Sequence, residues 1–123
     1  IKNAYLINIQ VSFEIVVNPN FNSNETLTLA ITALQDYFNI DNWQVNEPII
    51  LQNIYILISK VPGVQIVKNI AISNLTGESL GYSDFAYDTV AATINEVVYP
   101  SIDPMIFEVK YPNQDILGKV VPI

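Results

Sequence analysis

Asp103 and Asp115 close the same phrase, Tyr-Pro-x-x-Asp, which occurs at positions 99–103 and again at 111–115. Brought together, two carboxylates can divide the work of acid and base, or offer oxygens to a calcium ion. The phrase also has an architectural use. Proline fixes φ and holds the preceding tyrosine extended, and an aspartate a few residues later can accept from its own backbone and close a turn. Neither aspartate lies in an Asp-x-Asp-x-Asp-Gly pattern, and nothing else brings in the several oxygens that calcium requires. Each copy is therefore expected to be a strand exit, with no metal and no other cofactor.

Other chemistry is limited by what the chain lacks. It has no cysteine and no histidine, which removes thiolate nucleophiles, disulfides, the commonest general base and the commonest zinc ligands. Carboxylates, tyrosines and five lysines remain. Glycoside hydrolysis needs only two carboxylates, and Glu96, Glu108, Asp84 and Asp103 are candidates, but they are scattered at spacings typical of solvated faces. No enzymatic activity is expected. Twelve carboxylates against five lysines and no arginine give a net charge of −7, the wrong balance for phosphate backbones, so nucleic acid is not expected as a partner. No apolar run approaches the roughly 20 residues of a membrane helix, and no basic start followed by an apolar stretch opens the chain. The expectation is a soluble protein without a targeting segment, and a piece of a longer one, since it begins at Ile1. Two Asn-x-Thr sequons, at Asn24 and Asn74, are read as chance in so asparagine-rich a chain.

The elements that would hold these residues follow from periodicity. At 123 residues the chain fits one domain with a core of its own. From Tyr5 to Val17 the odd positions are apolar or aromatic and the even ones include Asn8, Gln10, Ser12 and Glu14, the signature of a strand with one buried face. After Asn18-Pro19-Asn20, Ser23 or Asn24 offers an N-cap with Glu25 in the first turn. Leu27, Ile31, Leu34 and Phe38 then make one helical stripe. A second helix is expected from Glu47-Pro48, carrying Ile50, Ile54, Leu57, Ile58 and Val61 and ending at Pro62-Gly63. Residues 64–73 return to alternation, with Val64, Ile66, Ile70 and Ile72 on one face and Lys68 discordant among them. The class is α+β: a β-α-α-β unit over 1–78, with two helices on one face of a sheet.

Positions 79–123 hold most of the prolines and no sustained helical stripe. They read as an extended, short-strand, Pro-rich C-terminal segment of the same domain. Within 88–98 strands are expected around a turn at Asn95-Glu96; 105–111 and 118–121 supply two more. Tyr82, Phe85, Tyr87, Tyr99, Phe107 and Tyr111 crowd this third of the chain. Aromatic residues in segments without a buried stripe either cap the core or supply binding energy at an interface. Tyr99, Asp103, Phe107, Tyr111 and Asp115 are the candidate interface residues.

The run NEPIILQNIYILISKVPGVQIVKNIAISN resembles the carboxy-terminal portion of the baseplate J-like family of contractile-tailed phages. The tail GYSDFAYDTVAATINEVVYPSIDPMIFEVKYPNQDILGKVV is similar to the closing phrase of the baseplate wedge subunits of T-even-type phages. These stretches cover positions 46–121, and the matched residues are Tyr99, Pro100, Asp103, Phe107, Tyr111, Pro112 and Asp115. The chain departs from the family at Asn95-Glu96, where glycine often follows the asparagine, and at Leu117-Gly118-Lys119, where a more basic segment is usual. The resemblance implies a structural virion component that forms a homodimer or a ring-shaped homo-oligomer and contacts other wedge and hub proteins. Its place would be the tail baseplate, and the host cytoplasm during assembly. A carbohydrate-binding or glycan-cleaving module, using exposed aromatics and carboxylates, is the alternative reading.

Overall fold

The computed structural model describes residues 5–39, 43–44, 46–83, 86–100 and 105–122. Strand β1 (Tyr5–Val17) is central to a four-stranded sheet. Its alternation is expressed directly: Ile7, Ile9, Val11, Phe13 and Ile15 are all but fully buried. One edge of β1 pairs antiparallel with β3 (Val64–Leu75). The other pairs in parallel with two short strands in succession, β6 (Met105–Glu108) along Tyr5 to Asn8 and β7 (Ile116–Val120) along Val11 to Ile15. Between these two strands the chain steps off the sheet edge and returns through a one-turn helix, α3 (Pro112–Asp115).

Two longer helices cover the face that carries the odd residues of β1. Helix α1 (Ser23–Tyr37) is capped by Asn22, one residue ahead of the expected Ser23 or Asn24; its Oδ1 accepts the amide of Glu25 at 3.0 Å. The stripe is centred on Thr26, Ala30, Leu34 and Phe38, with Leu27 and Ile31 packed at its margin. At the other end Trp43 stacks on Phe38, centroids 5.4 Å apart, and its indole N–H donates to the Tyr37 carbonyl at 3.0 Å. One orphan carbonyl of the last turn is thereby satisfied.

The second helix begins later than its sequence suggests. Ile49–Ile50 form a short strand, β2, and helix α2 runs Leu51–Ser59. The β-branched isoleucines ahead of Leu51 suit the strand, which pairs with β5 (Val97–Val98); β5 in turn forms a hairpin with β4 (Thr93–Ile94). The hairpin turn is Asn95-Glu96, as its sequence suggests, with φ of 51° and 65°. Positive φ at both central residues matches the twist of the strands that the turn joins. The Glu96 carbonyl then accepts the Leu51 amide at 2.9 Å, doing for α2 what its N-cap, Ile50, has no side chain to do.

Strand β3 corrects the expected face. The pairing runs Glu14 with Asn69, then Ile15 with Val67, so Lys68 is an extra residue in a β-bulge. The bulge shifts the parity: Val67 turns inward and is buried, while Ile66 pairs with Val16 and is exposed. A second irregularity at Gln65 brings Val64 opposite Val17. The inward set is thus Val64, Val67, Ile70 and Ile72, and the discordance of Lys68 is removed by leaving it out of the ladder.

Candidate functional site

The second Tyr-Pro-x-x-Asp phrase is a fastening point between the tail and the sheet. Pro112 stands at the first position of α3, where its missing N–H costs nothing, and the amides of Gln114 and Asp115 both donate to the Tyr111 carbonyl at 2.8 Å. Asp115 is buried, at 3% exposure. Its carboxylate accepts the Tyr82 hydroxyl through Oδ1 at 2.9 Å and Oδ2 at 3.1 Å, and the Tyr111 amide lies 3.4 Å from Oδ2. The rings of Tyr82 and Tyr111 meet edge to face at 5.5 Å, and the Tyr111 hydroxyl donates to the Leu80 carbonyl at 3.2 Å. Burial, then the hydrogen bond to Asp115 and that carboxylate's charge, with Tyr111 adding to it, hold the Tyr82 phenol above its ordinary range.

A second fastening lies along β1 at Asn8, buried on the face opposite the helices. Its side chain donates to Glu108 Oε1 at 2.8 Å and accepts the Ser83 amide at 2.6 Å, and its carbonyl accepts Asn74 Nδ2 at 2.9 Å. Asn74 Oδ1 accepts the Tyr87 amide at 2.9 Å, and the buried Thr89 hydroxyl donates to the Ile72 carbonyl at 2.9 Å. These bonds lay Ser83, Tyr87 and Thr89 against β1 and β3. Their polar side chains are fully occupied by this work; every deeply buried side-chain nitrogen and oxygen among the described residues has a partner.

The candidate residues consequently fall into different environments. Phe107 is buried at 1% exposure beside Tyr87, with ring centroids 6.0 Å apart, because its position in β6 places it on the same face as Ile7. Phe107 and Asp115 are thus interior side chains and not surface contacts, and Tyr111 is half-buried. Tyr99 is exposed at 46%, and its carbonyl accepts the Tyr87 hydroxyl. Asp103, like Asp84 and Phe85, lies outside the described residues. Among the described residues no group of three or more acidic side chains is placed to hold a metal ion.

Exposed apolar side chains are spread over the molecule, Phe21, Leu29, Leu80 and Leu117 among them, and Val90, Ile94 and Tyr99 lie on or beside the small sheet. Residues directly opposite in an antiparallel pair share a face. Ile94 opposes Val97, Val97 opposes Ile50, and their row faces outward because the neighbouring Val98 is buried. Tyr99, whose amide donates to the Ala92 carbonyl at 3.1 Å, continues that face. Ile94 is 59% exposed and Val90, in the preceding turn, 79%. Aromatic content led to Tyr99 in the sequence; Ile94 and Val90 carried no signal there, since an aliphatic residue in a strand normally reads as core. The chain matches no known family model, and no curated protein sequence matches it.

Proposed function

We infer that this chain is a structural assembly domain that associates with copies of itself and with neighbouring proteins. The observation that carries the inference is the apolar row of Ile50, Val97 and Ile94 with Tyr99 and the nearby Val90 on the small sheet, whereas Phe107 and Asp115, at the main sheet, are spent on internal packing. An apolar face exposed on an acidic protein of net charge −7 is the kind of surface that a partner covers. The finer reading is a carboxy-terminal domain of a phage tail baseplate wedge subunit, with other wedge and hub proteins as neighbours, located in the virion. That reading rests on the likeness of positions 46–121 to such proteins.

Sedimentation velocity across a wide concentration range tests the inference. Self-associating species should grow with concentration in the absence of any ligand. A strict monomer at the highest concentrations, joined by thermal stabilisation on adding oligosaccharides, would replace it with a glycan-binding function.

A further inference from the structure

The main sheet has two free edges, and the structure makes them different. On β3 the carbonyls of Val67 and Ile72 are met by side chains, the Tyr55 hydroxyl and the Thr89 hydroxyl. Since the Ile72 carbonyl is turned away from β1 and no irregularity falls between the two residues, alternation turns the N–H and C=O of Ile70 outward as well. Among the described residues no bond meets that pair of groups. They open into a depression of about 390 Å³ lined by Leu51, Ile70, Ile72, Val90, Thr93 and Val98. It is an almost wholly aliphatic slot against a short stretch of strand edge, stopped on either side by Tyr55 and Thr89. Asp88 and Glu96 are exposed on the hairpin segment that forms its far wall.

The opposite edge is β7. The Val121 amide donates to the Ile15 carbonyl at 2.9 Å, so by alternation the backbone groups of Ile116, Gly118 and Val120 point away from β1. This edge carries an exposed leucine, Leu117, and an exposed lysine, Lys119. One edge thus has a hollow flanked by Asp88 and Glu96, the other an exposed leucine and lysine, and they bound the same sheet.

We propose that β7 of one copy docks on the Ile70 edge of β3 in the next, a head-to-tail contact in which Lys119 faces Asp88 and Glu96 across the join. It rests on the self-association inferred above, and of the apolar residues named there it uses Val90, at the rim of the slot. Because the two surfaces differ, each copy keeps one free edge after pairing, and association proceeds past the dimer, towards a ring if the rotation closes.

Two exposed substitutions test it, Val90→Lys at the rim of the slot and Lys119→Glu on β7, with circular dichroism melts to establish that both variants fold. Light scattering on each alone should give monomer where the unsubstituted chain gives species larger than dimer. An equimolar mixture should give dimer and nothing larger, since the first variant still offers an intact β7 and the second an intact slot. Folded variants that associate like the unsubstituted chain, or a mixture that stays monomeric, would overturn the docking while leaving self-association standing. An unsubstituted chain that stops at dimer would exclude the head-to-tail geometry, and one that never associates would remove both inferences.

Discussion

The Tyr82 hydroxyl gives Asp115 two of its contacts, and removing it leaves a buried carboxylate with the Tyr111 amide alone at 3.4 Å. Hydrogen bonds to charged groups are worth about 1.5–3 kcal/mol, so Tyr82→Phe should lower stability by about that much at neutral pH in a denaturant titration. An unchanged midpoint would show that water replaces the hydroxyl. The pH dependence has a definite sign. The Tyr82 phenol is raised above 10.0 by burial first and by Asp115 next, and that of Tyr37 by burial, with Glu47 adding to it and a hydrogen bond to Asn53 opposing it. A group held protonated longer in the folded state contributes fully below its unfolded pKa and loses that contribution as pH rises through the folded value. Stability should therefore fall above pH 10.0, and less steeply in Tyr82→Phe than in the unsubstituted chain. The bond from Asp115 to its own Tyr111 amide was legible in the phrase itself, because local turn chemistry depends only on neighbours. Tyr82 was not, since its partner lies 33 positions away and only the folded tail brings them together.

Strand β7 seats against α1 through Gly118, a position where a methyl group would stand 2.5 Å from Phe13 Cζ and 2.7 Å from Leu27 Cδ1. The close approach of helix to strand requires the missing side chain. Gly118→Ala should cost about 1–3 kcal/mol by forcing Phe13 and Leu27 off their rotamers, read as a lower melting temperature; equal or greater stability would show that α1 can move aside. Element by element, β1 and α1 could be read from periodicity because each buries one regular stripe. The turn at Asn95-Glu96 could be read because asparagine tolerates positive φ. The face of β3 could not, since a bulge changes which residues face inward and Lys68 showed only as an anomaly. The start of α2 also escaped: the row Ile49-Ile50-Leu51 is apolar in either conformation, and its pairing with Val97 and Val98 is decided by segments more than 40 positions later.

As a whole molecule the chain is an α+β fold whose tail returns twice to the edge of its first strand, fastened by Asn8 and Asp115, while Asn74 and the Ile72 carbonyl hold Tyr87 and Thr89 to β3. The pair of aspartates that suggested chemistry contributes, in the copy that is described, a buried lock. The candidate interface could be read only in part, because exposure is a property of the finished fold: Phe107 carries the same aromatic signal as Tyr99 and lies inside. The central claim is that copies join through the two free edges of the main sheet. Amide hydrogen exchange, followed by NMR at low and high protein concentration, tests it most directly. The amide of Ile70 and one of the two outward β7 amides, Gly118 or Val120, should exchange more slowly as concentration rises, because the Ile70 carbonyl, between those met by Tyr55 and Thr89, takes up a single N–H. Exchange at these three amides that does not change while the particle mass rises would contradict it and place the contact elsewhere on the molecule.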